Sequence, residues 1–393
     1  MIMKKVMILG GGYYQLPLIK KSVELGFHTI VCGIAGNYPG YKYATQWIDV
    51  DTFDKEAILE VAKNEAIDGI LLCGSDACMP TIGYVCDRLN LLGPSEQATI
   101  NASNKSIMKA CFKKFGVRTA EYEQISSLKE AEEFANDYSF PVVLKVVDAS
   151  GSRGVAIIKN MEELLEQYPK VFSETKKNYL IIEEFVKGEE FGAQSFVRNG
   201  RLTFVMPHGD IVFHSDTDVP IGHYAPYERE IIIDDVRNQL ELCVNALGID
   251  NTAINADFIL KDGKVYVLEI GARAGATCLP ELVSNYYGID YYEYLLRQSV
   301  GEIMTIESSN LTPSLVETLI SYKTGIVKRI SIGEVPEEVV SLELYPKVGD
   351  KVTKFHNAYD RIGTLVMKGN SVSHLFDISQ SIKKDILNIE IEL

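Results

Sequence analysis

A lysine inside an apolar strand, followed at once by a glycine and serine loop, is the feature that most restricts how this sequence can fold. Residues 142–147 and 155–158 are both rich in β-branched and apolar side chains, and Asp-Ala-Ser-Gly-Ser-Arg-Gly separates them. This pattern predicts a β-hairpin with a long tip. Lys145 lies within the first strand, where an ammonium without an anionic partner is costly to bury. We therefore expect a bound anion beside Lys145; the alternative is a surface hairpin whose lysine reaches solvent.

The tip of this hairpin is suited to phosphate. Glycine and serine residues allow backbone N–H groups to fold around phosphate oxygens. Together with Lys145, the tip predicts a lid that closes over a nucleoside triphosphate.

Length and composition describe a soluble globular chain of two or three domains. The chain has 393 residues, of which 46% are hydrophobic and 24% are charged, and a domain usually takes about 100–200 residues. No apolar run approaches the ~18 residues that span a bilayer, and the apolar run at the start is too short for a signal peptide. We therefore expect a cytoplasmic protein with no membrane partner.

The charge of the chain disfavours several classes of function. The formal net charge is -15, from 39 Lys and Arg against 54 Asp and Glu, and no basic tract stands out. This balance opposes a nucleic-acid partner and favours a small-molecule site with local cations. The seven cysteines show no metal-ligand spacing, so we expect reduced, packed thiols. The six histidines follow no zinc-binding pattern either.

The first 94 residues alternate strands and helices. The predicted strands are 4–9, 28–32 and 69–72, and the predicted helices are 15–25, 55–64 and 76–89. This order predicts an open parallel sheet of about four strands. The turn Gly10-Gly11-Gly12 does not predict NAD binding, because the third glycine of a dinucleotide motif would fall at Gln15 and no acidic residue follows the second strand.

A second lysine opens a predicted helix over residues 104–115. Asn104 or Ser103 can cap this helix, which places Lys105 in its first turn. A cation there opposes the helix dipole and is better tolerated beside an anion.

The segment that follows predicts a small movable unit. Residues 121–185 have the order strand, helix, strand, loop, strand, helix, strand, and this βαββαβ unit is small enough to act as a lid. Its last strand ends in an acidic run, where extended backbone can bond the edge of an adenine and Glu190 can accept from ribose hydroxyls. A plain hairpin with a charged turn is the alternative.

Residues 207–227 are predicted to form a polar loop. The loop is either solvated surface or part of substrate recognition, and both interpretations stay open. Its histidines and aspartates are His208, Asp210, His214, Asp216, Asp218 and His223.

Two carboxylates flank a predicted hairpin turn at Asp262-Gly263. Direct pairing about this turn places Asp257 opposite residue 268, one short of Glu269, whereas a bulge would set both carboxylates on one face. Two carboxylates on apolar strands repel unless a cation lies between them, and magnesium bound with a nucleotide supplies that charge. Salt-bridged strand carboxylates are the alternative. Arg273 follows in a glycine turn, where it can stabilise charge on a phosphoryl group or an oxyanion.

In this order the motifs resemble the ATP-grasp superfamily over nearly the whole chain. The resemblance implies an α/β ATP-grasp fold with an N-terminal open parallel α/β domain at 1–95, a core at 96–304 with its βαββαβ lid at about 119–186, and a small C-terminal α+β unit at 305–393 that closes with a helix at 372–387. The similar branch contains biotin carboxylase, carbamoyl phosphate synthetase, purine-pathway ribonucleotide ligases and bacterial L-amino acid ligases. The phrase EIGARAGA most resembles the last of these.

The resemblance implies a role for each candidate residue. Lys105 and Lys145 would hold the α and β phosphates of ATP, and Lys145 would also be catalytic. Asp257 and Glu269 would ligate Mg²⁺ or Mn²⁺. Arg273 would be catalytic by steadying the acyl phosphate, and Arg273 and His223 would bind substrate. The remaining implied ATP contacts are Ser150, Gly151, Ser152, Arg153 and Gly154 over the phosphates, Glu183, Glu184, Phe185 and Val186 at the adenine, and Glu190 at the ribose.

One position departs from the family pattern. Members commonly have Asn two residues after the metal-binding Glu, and this chain has Gly271 there. A side-chain ligand is lost, although Asn255 could compensate.

The implied reaction joins a small-molecule carboxylate to an amine. The γ-phosphoryl group of ATP would activate the carboxylate as an acyl phosphate, and an amine would displace phosphate to form an amide. Three alternatives stay open: a purine-pathway ligase with a phosphoribosyl site, an enzyme that uses bicarbonate like a carboxylase or carbamoyl phosphate synthetase, and a non-catalytic ATP-binding sensor. Members of this branch often form dimers, so a homodimer is an expected possibility.

Overall fold

The chain begins with a four-stranded parallel sheet. In the computed structural model, which describes residues 3–148, 154–214, 219–227, 232–307, 311–357 and 360–392, the strand order of this sheet is β3-β2-β1-β4. Its strands are β1 Lys5–Leu9, β2 His28–Cys32, β3 Gln46–Ile48 and β4 Gly69–Leu71, with helices α1 Leu16–Glu24, α2 Lys55–Glu65 and α3 Met79–Leu89. The predicted four-stranded sheet is confirmed. Helix α3 begins three residues later than predicted, with Pro80 in its first turn, so Asp76 remains in the preceding loop.

Helices α4 Glu96–Ser103 and α5 Lys105–Phe115 follow the sheet. The Oδ1 atom of Asn104 accepts hydrogen bonds from the backbone N–H groups of Ser106 at 3.0 Å and Ile107 at 3.1 Å. Asn104 therefore caps α5 and fixes Lys105 in its first turn.

The next segment forms a separate four-stranded sheet with the order β5-β8-β6-β7. Its elements are β5 Tyr122–Ile125, α6 Leu128–Tyr138, β6 Val142–Lys145, β7 Val155–Ile158, α7 Met161–Ser173 and β8 Leu180–Glu184. Strands β6 and β7 pair antiparallel, with Lys145 opposite Val155. Phe134, Leu144 and Ile182 contribute to a hydrophobic core of the unit's own, as expected for the predicted βαββαβ lid.

A large sheet of eight strands forms the centre of the molecule, with the order β13-β12-β9-β10-β11-β14-β18-β16. The elements of this part are β9 Glu189–Arg198, β10 Arg201–Phe213, β11 Val219–Ala225, α8 Ile233–Leu247, β12 Thr252–Lys261, β13 Lys264–Gly271, α9 Leu279–Tyr287, α10 Tyr291–Ser299, β14 Ser314–Ile320, β15 Gly325–Ile332, β16 Val339–Leu344, β17 Lys351–Val352, β18 Arg361–Lys368, α11 Val372–Ser381 and β19 Leu387–Glu392. Strands from both sides of the proposed boundary at residue 304 share this sheet. That boundary and the one at residue 95 remain predictions.

The prediction of a polar loop at residues 207–227 is wrong where the structure describes it. Strands β10 and β11 continue through most of this range, and β11 pairs with β14. The polar residues mask strand alternation, because His208 and Asp210 lie two apart on one face. Both His208 and His223 are buried, so polarity here marks an interior site. Asp216 and Asp218 lie outside the described residues.

One helix was missed by the sequence analysis, and the predicted closing helix ends earlier than expected. Helix α9 was not predicted, and α11 stops at Ser381, where a π-helical turn over Ile382–Ile386 leads into β19. Strand β19 pairs with β15 in a three-stranded sheet with the order β17-β15-β19, which removes residue 387 from the predicted closing helix. None of the helices in the described ranges combines the length and apolarity needed to span a bilayer.

Candidate active site

A β-bulge brings two carboxylates to one face of the large sheet. The register of β12 and β13 shifts between Asp257 and Phe258, which places Asp257 directly opposite Glu269. Without the shift, Asp257 would face residue 268, as simple pairing about the Asp262-Gly263 turn requires. Directly opposed residues of antiparallel strands share a face, so both carboxylates lie on the same face.

The two carboxylates differ in their surroundings. Lys105 forms an ion pair with Oε2 of Glu269. Burial opposes ionisation of Glu269, but the ammonium of Lys105 outweighs it and lowers the pKa of Glu269. Burial and the charge of Glu269 raise the pKa of Asp257 well above its usual value. Asp257 has no hydrogen-bond or ion-pair partner among the described residues, so its carboxylate is available to an added cation.

Glu183, on strand β8 of the lid, lies close to two lysines, one on lid strand β6 and one on helix α5. The Oε2 atom of Glu183 lies 2.9 Å from Nζ of Lys145 and 3.3 Å from Nζ of Lys109. Nζ of Lys109 also donates to Oγ1 of Thr119 at 2.6 Å. The second oxygen of Glu183 is buried without a hydrogen-bond partner in the described part of the chain. Lys145 is therefore held in place by an internal anion, rather than extending to solvent.

An apolar cluster adjoins residues 183–186, which are predicted to contact the adenine and are called the hinge below. Val186 is buried against Ala120 and Ile259, and Tyr266 and Leu268 pack beside them. The backbone N–H of Glu184, one of the predicted hinge residues, donates to the carbonyl of Glu121 at 2.9 Å. Phe185 lies between Glu184 and the buried Val186, and Glu190 is opposite Ile259 in the sheet. This surface can contact the flat apolar face of a purine.

Arg273 connects the large sheet to the N-terminal sheet. Its Nη2 atom lies 2.6 Å from Oδ2 of Asp76, a residue in the loop after β4. Nε of Arg273 and Oδ1 of Asp76 are buried and have no hydrogen-bond partner within the described ranges. Buried polar atoms are rarely left unsatisfied, so the free donor of Arg273 and the free acceptor of Asp76 are both available to a ligand.

The chain is similar to known enzymes over its whole length. Residues 103–276 match the family described as "Phosphoribosylglycinamide synthetase, ATP-grasp (A) domain". The crystal structure of phosphoribosylglycinamide synthetase from Anaerococcus prevotii has a TM-score of 0.86 and 33% identity, covering 99% of this chain and 100% of that one. The chain belongs to the ATP-grasp family.

Two other ATP-grasp proteins illustrate the range of relatives. A phosphoribosylamine–glycine ligase from Lactococcus lactis subsp. lactis is 24% identical over 355 residues, which are 85% of this chain and 84% of that protein. An L-amino acid ligase from Bacillus licheniformis has the same fold, with a TM-score of 0.83, 20% identity and 99% of each chain covered. The family uses ATP with Mg²⁺. This chain is an ATP-dependent carboxylate–amine ligase, and the predicted fold and enzyme class are confirmed.

The missing Asn of this ATP-grasp enzyme has a structural counterpart. A Cβ atom on Gly271 would lie 2.5 Å from Oδ1 of Asp76, so the carboxylate of Asp76 takes the space of a side chain there. Asn255 is opposite Gly271 in the sheet, and its Oδ1 accepts from Nε2 of Gln194 at 2.6 Å. A compensating role for Asn255 stays a prediction.

The ATP-grasp site extends along the sheet toward the two buried histidines. Asp257 is opposite Gly192 on β9, and Gly192 is opposite His208 on β10. Gly192 has no side chain, and a Cβ there would lie 2.3 Å from Cε1 of His208. Asp257 and His208 therefore lie on the same face, and His223 joins them because it is opposite Asp210.

Some predicted site residues lie outside the described part of the chain, and two residues of the site were not predicted. Ser150, Gly151, Ser152 and Arg153 lie outside the described residues, whereas Gly154 precedes β7 with a φ of 65°. Asp76 and Lys109 were missed. Lys109 follows Lys105 by one helical turn, and this i, i+4 spacing could have revealed it. No local signal marks Asp76, because only the tertiary fold brings it to Arg273.

Proposed function

We propose that this enzyme transfers the γ-phosphoryl group of ATP to a small-molecule carboxylate and joins the acyl phosphate to an amine. The observation that supports this best is the Asp257–Glu269 pair on one face, with Lys105 beside it and Arg273 close enough to affect the pKa of both carboxylates. Cations, carboxylates and an arginine in one site are the groups that phosphoryl transfer requires.

The nucleotide is held by residues from three parts of the chain. Lys105 and Lys145 bind the α and β phosphates, and the loop from Ser150 to Gly154 covers the β and γ phosphates. The adenine packs at residues 183–186, and Glu190 accepts hydrogen bonds from the ribose. Asp257, which lacks a partner among the described residues, and Glu269 fit a divalent cation with oxygen ligands. Bound magnesium would neutralise charge on the phosphate oxygens.

The chain's own residues then position the reactants. A carboxylate oxygen of the substrate attacks the γ phosphorus, the bond to ADP breaks, and an acyl phosphate forms. The guanidinium of Arg273, oriented by Asp76, stabilises the charge that develops on the carbonyl oxygen as the amine nitrogen attacks. The carbon–oxygen bond to phosphate breaks, an amide forms and one proton leaves the nitrogen.

A phosphate-release screen tests this proposal. Amino acids and other small carboxylates are paired with amines in the presence of ATP and Mg²⁺, and product masses identify the bond formed. Phosphate release that needs both an acid and an amine supports the ligase. Tight ATP binding without phosphate release in any mixture would instead identify a nucleotide sensor, and dependence on bicarbonate would identify a carboxylase-type enzyme.

One specific substrate pair has support of its own. The full-length similarity to phosphoribosylglycinamide synthetase at 33% identity favours phosphoribosylamine and glycine as a second candidate pair. We expect phosphoribosylglycinamide as the product if this candidate is right. Other amines would then fail to replace phosphoribosylamine.

A further inference from the structure

A chain of hydrogen bonds runs through the polar interior beside the carboxylates. It begins at the backbone N–H of Gly275, which donates to Oε1 of Gln194 at 3.2 Å. This contact fixes the orientation of the Gln194 amide, so its Nε2 atom points to the acceptors on the other side. Nε2 of Gln194 lies 2.6 Å from Oδ1 of Asn255 and 3.3 Å from Nε2 of His208.

The orientation of Gln194 determines the tautomer of His208. An amide nitrogen can only donate, so Nε2 of His208 accepts. Burial lowers the pKa of His208, which keeps its imidazole neutral, and the single ring proton is therefore on Nδ1. That proton is donated to Oδ1 of Asp210 at 3.1 Å.

Asp210 extends the hydrogen-bond chain to His223. Burial opposes ionisation of Asp210, but the two imidazoles outweigh it and hold its pKa well below the usual range. The ionised carboxylate accepts from Nδ1 of His223 at 2.7 Å. Nε2 of His223 has no hydrogen-bond partner among the described residues and is not sealed from solvent. The ring of His223 therefore keeps a proton on Nδ1, and its Nε2 atom faces away from Asp210.

The arrangement also argues against a metal ion at these three residues. The ligand atoms of His208, Asp210 and His223 lie within 4.8 Å of one another, which by distance alone suits a cation. A metal on Nδ1 of His208 would require the ring proton on Nε2, facing the amide hydrogens of Gln194. Rotating that amide would break its bond to Gly275. The hydrogen-bond chain therefore favours an aspartate–histidine pair.

This pair belongs to the face where the reaction takes place. His208 and Asp257 lie on opposite sides of the side-chain-free Gly192. Other charged groups nearby point elsewhere: Glu317 on β14 contacts Lys383, and Glu281 on α9 accepts from Tyr292.

We propose that His223 is the proton acceptor for the amine substrate, with Asp210 and His208 as positioning residues. The inference rests on the proposed ligase function. An amine arrives mainly as an ammonium, which has no lone pair for attack. Nε2 of His223 takes one proton, and the freed nitrogen attacks the carbonyl carbon of the acyl phosphate. Phosphate leaves with the electron pair of the broken carbon–oxygen bond and takes up the second proton that the nitrogen loses as the amide forms. His223 then releases the proton to solvent.

The test compares two nucleophiles in the His223→Asn variant. Asparagine can still donate to Asp210 but lacks the Nε2 base. A pool of the twenty amino acids and small carboxylic acids supplies the acyl group, with ATP and Mg²⁺. Hydroxylamine, which is unprotonated at neutral pH, traps the acyl phosphate as a hydroxamate without needing a base. His356→Asn is the matched control, because its side chain is 67% exposed.

We expect H223N to form hydroxamate at a rate within about twofold of the wild type. When an amine replaces hydroxylamine in the same mixture, the rate of phosphate release by H223N should fall about 100-fold or more at neutral pH. The rate should recover at alkaline pH, where free amine is abundant. Asp210→Asn should show the same split to a smaller degree.

Four results would overturn the inference. Equal loss with both nucleophiles would assign His223 to an earlier step or to folding, and unchanged amine ligation would remove it from the reaction. One equivalent of a transition metal in the purified wild type that is lost in H223N would make the cluster a metal site. A wild type that forms neither hydroxamate nor amide would refute the ligase proposal itself, and this inference with it.

Discussion

The carboxylate of Asp76 fills the space that a side chain at Gly271 would occupy, with Oδ1 only 2.5 Å from an ideal Cβ position. Gly271 ends strand β13, whereas Asp76 lies in the loop between β4 and α3, and Arg273 forms an ion pair with Asp76. The family's usual Asn cannot be restored here unless Asp76 moves. The departure at position 271 and the acidic residue at position 76 are therefore one feature of the site.

Gly271→Asn should damage the site by displacing Asp76 from Arg273. Forcing a side chain into an occupied space costs about 1–3 kcal/mol, and we expect a lower unfolding temperature together with a large loss of phosphate release. Adding Asp76→Ala to Gly271→Asn should recover much of the stability, because the space is then free. A double variant that is no more stable than Gly271→Asn alone would contradict the steric explanation. Thermal unfolding of the two single variants and the double variant measures this coupling.

Arg273→Ala should separate nucleotide binding from turnover. Arg273 pairs with Asp76 and does not contact Glu183 or the hinge among the described residues, so ATP affinity measured by calorimetry should stay within about threefold. Turnover should fall by about 100- to 1,000-fold, as when a group that stabilises developing negative charge is removed. Arg273→Lys keeps the charge but lacks the planar guanidinium, whose N–H groups can bond Asp76 and a ligand at the same time, so it should recover only part of the rate. Full ligase activity in Arg273→Ala would remove this residue from the mechanism.

The sequence predicted the parts of this fold that depend on local pattern. The hairpin around Lys145, the capped helix that begins at Lys105 and the bulge that could align Asp257 with Glu269 are all encoded within short segments. The strand containing His208 was predicted as a loop, because its polar residues face an interior that only the assembled sheet creates. Asp76 could not be assigned for the same reason, since its partner is 197 residues away.

The buried Lys109 should leave a signature in the pH dependence of folding. Burial lowers the pKa of Lys109 to about 8 from its usual 10.5, although Glu183 partly opposes this shift. Between these two values the unfolded chain binds more protons than the folded chain, so this residue makes stability rise with pH. Below about pH 8 the buried ammonium of Lys109 destabilises the fold to its full extent, and above pH 10.5 this effect is gone.

Lys109→Met isolates this contribution from other titrating groups. The free energy of unfolding of the variant minus that of the wild type should decrease as pH rises from about 8 to 10.5. Denaturant unfolding at several pH values measures the difference. Lys129→Met, whose lysine side chain is 82% exposed, should show no such slope. A flat difference for Lys109→Met would mean that Lys109 titrates at its ordinary pKa.

The charge of Asp257 should lower the stability of the nucleotide-free enzyme while it favours cation binding. Asp257 faces Glu269 without a cation of its own, and removing its charge relieves their repulsion. Asp257→Asn should therefore leave the nucleotide-free enzyme as stable as the wild type or about 0.5–2 kcal/mol more stable, as expected where a functional site is held under strain. The same variant should lose most of the rise in unfolding temperature that ATP with Mg²⁺ gives the wild type, while the smaller rise with ATP and a chelator remains. If Asp257→Asn kept the full magnesium-dependent shift, Asp257 would not be a metal ligand. If the variant were strongly destabilised without nucleotide, the carboxylate would serve the fold instead.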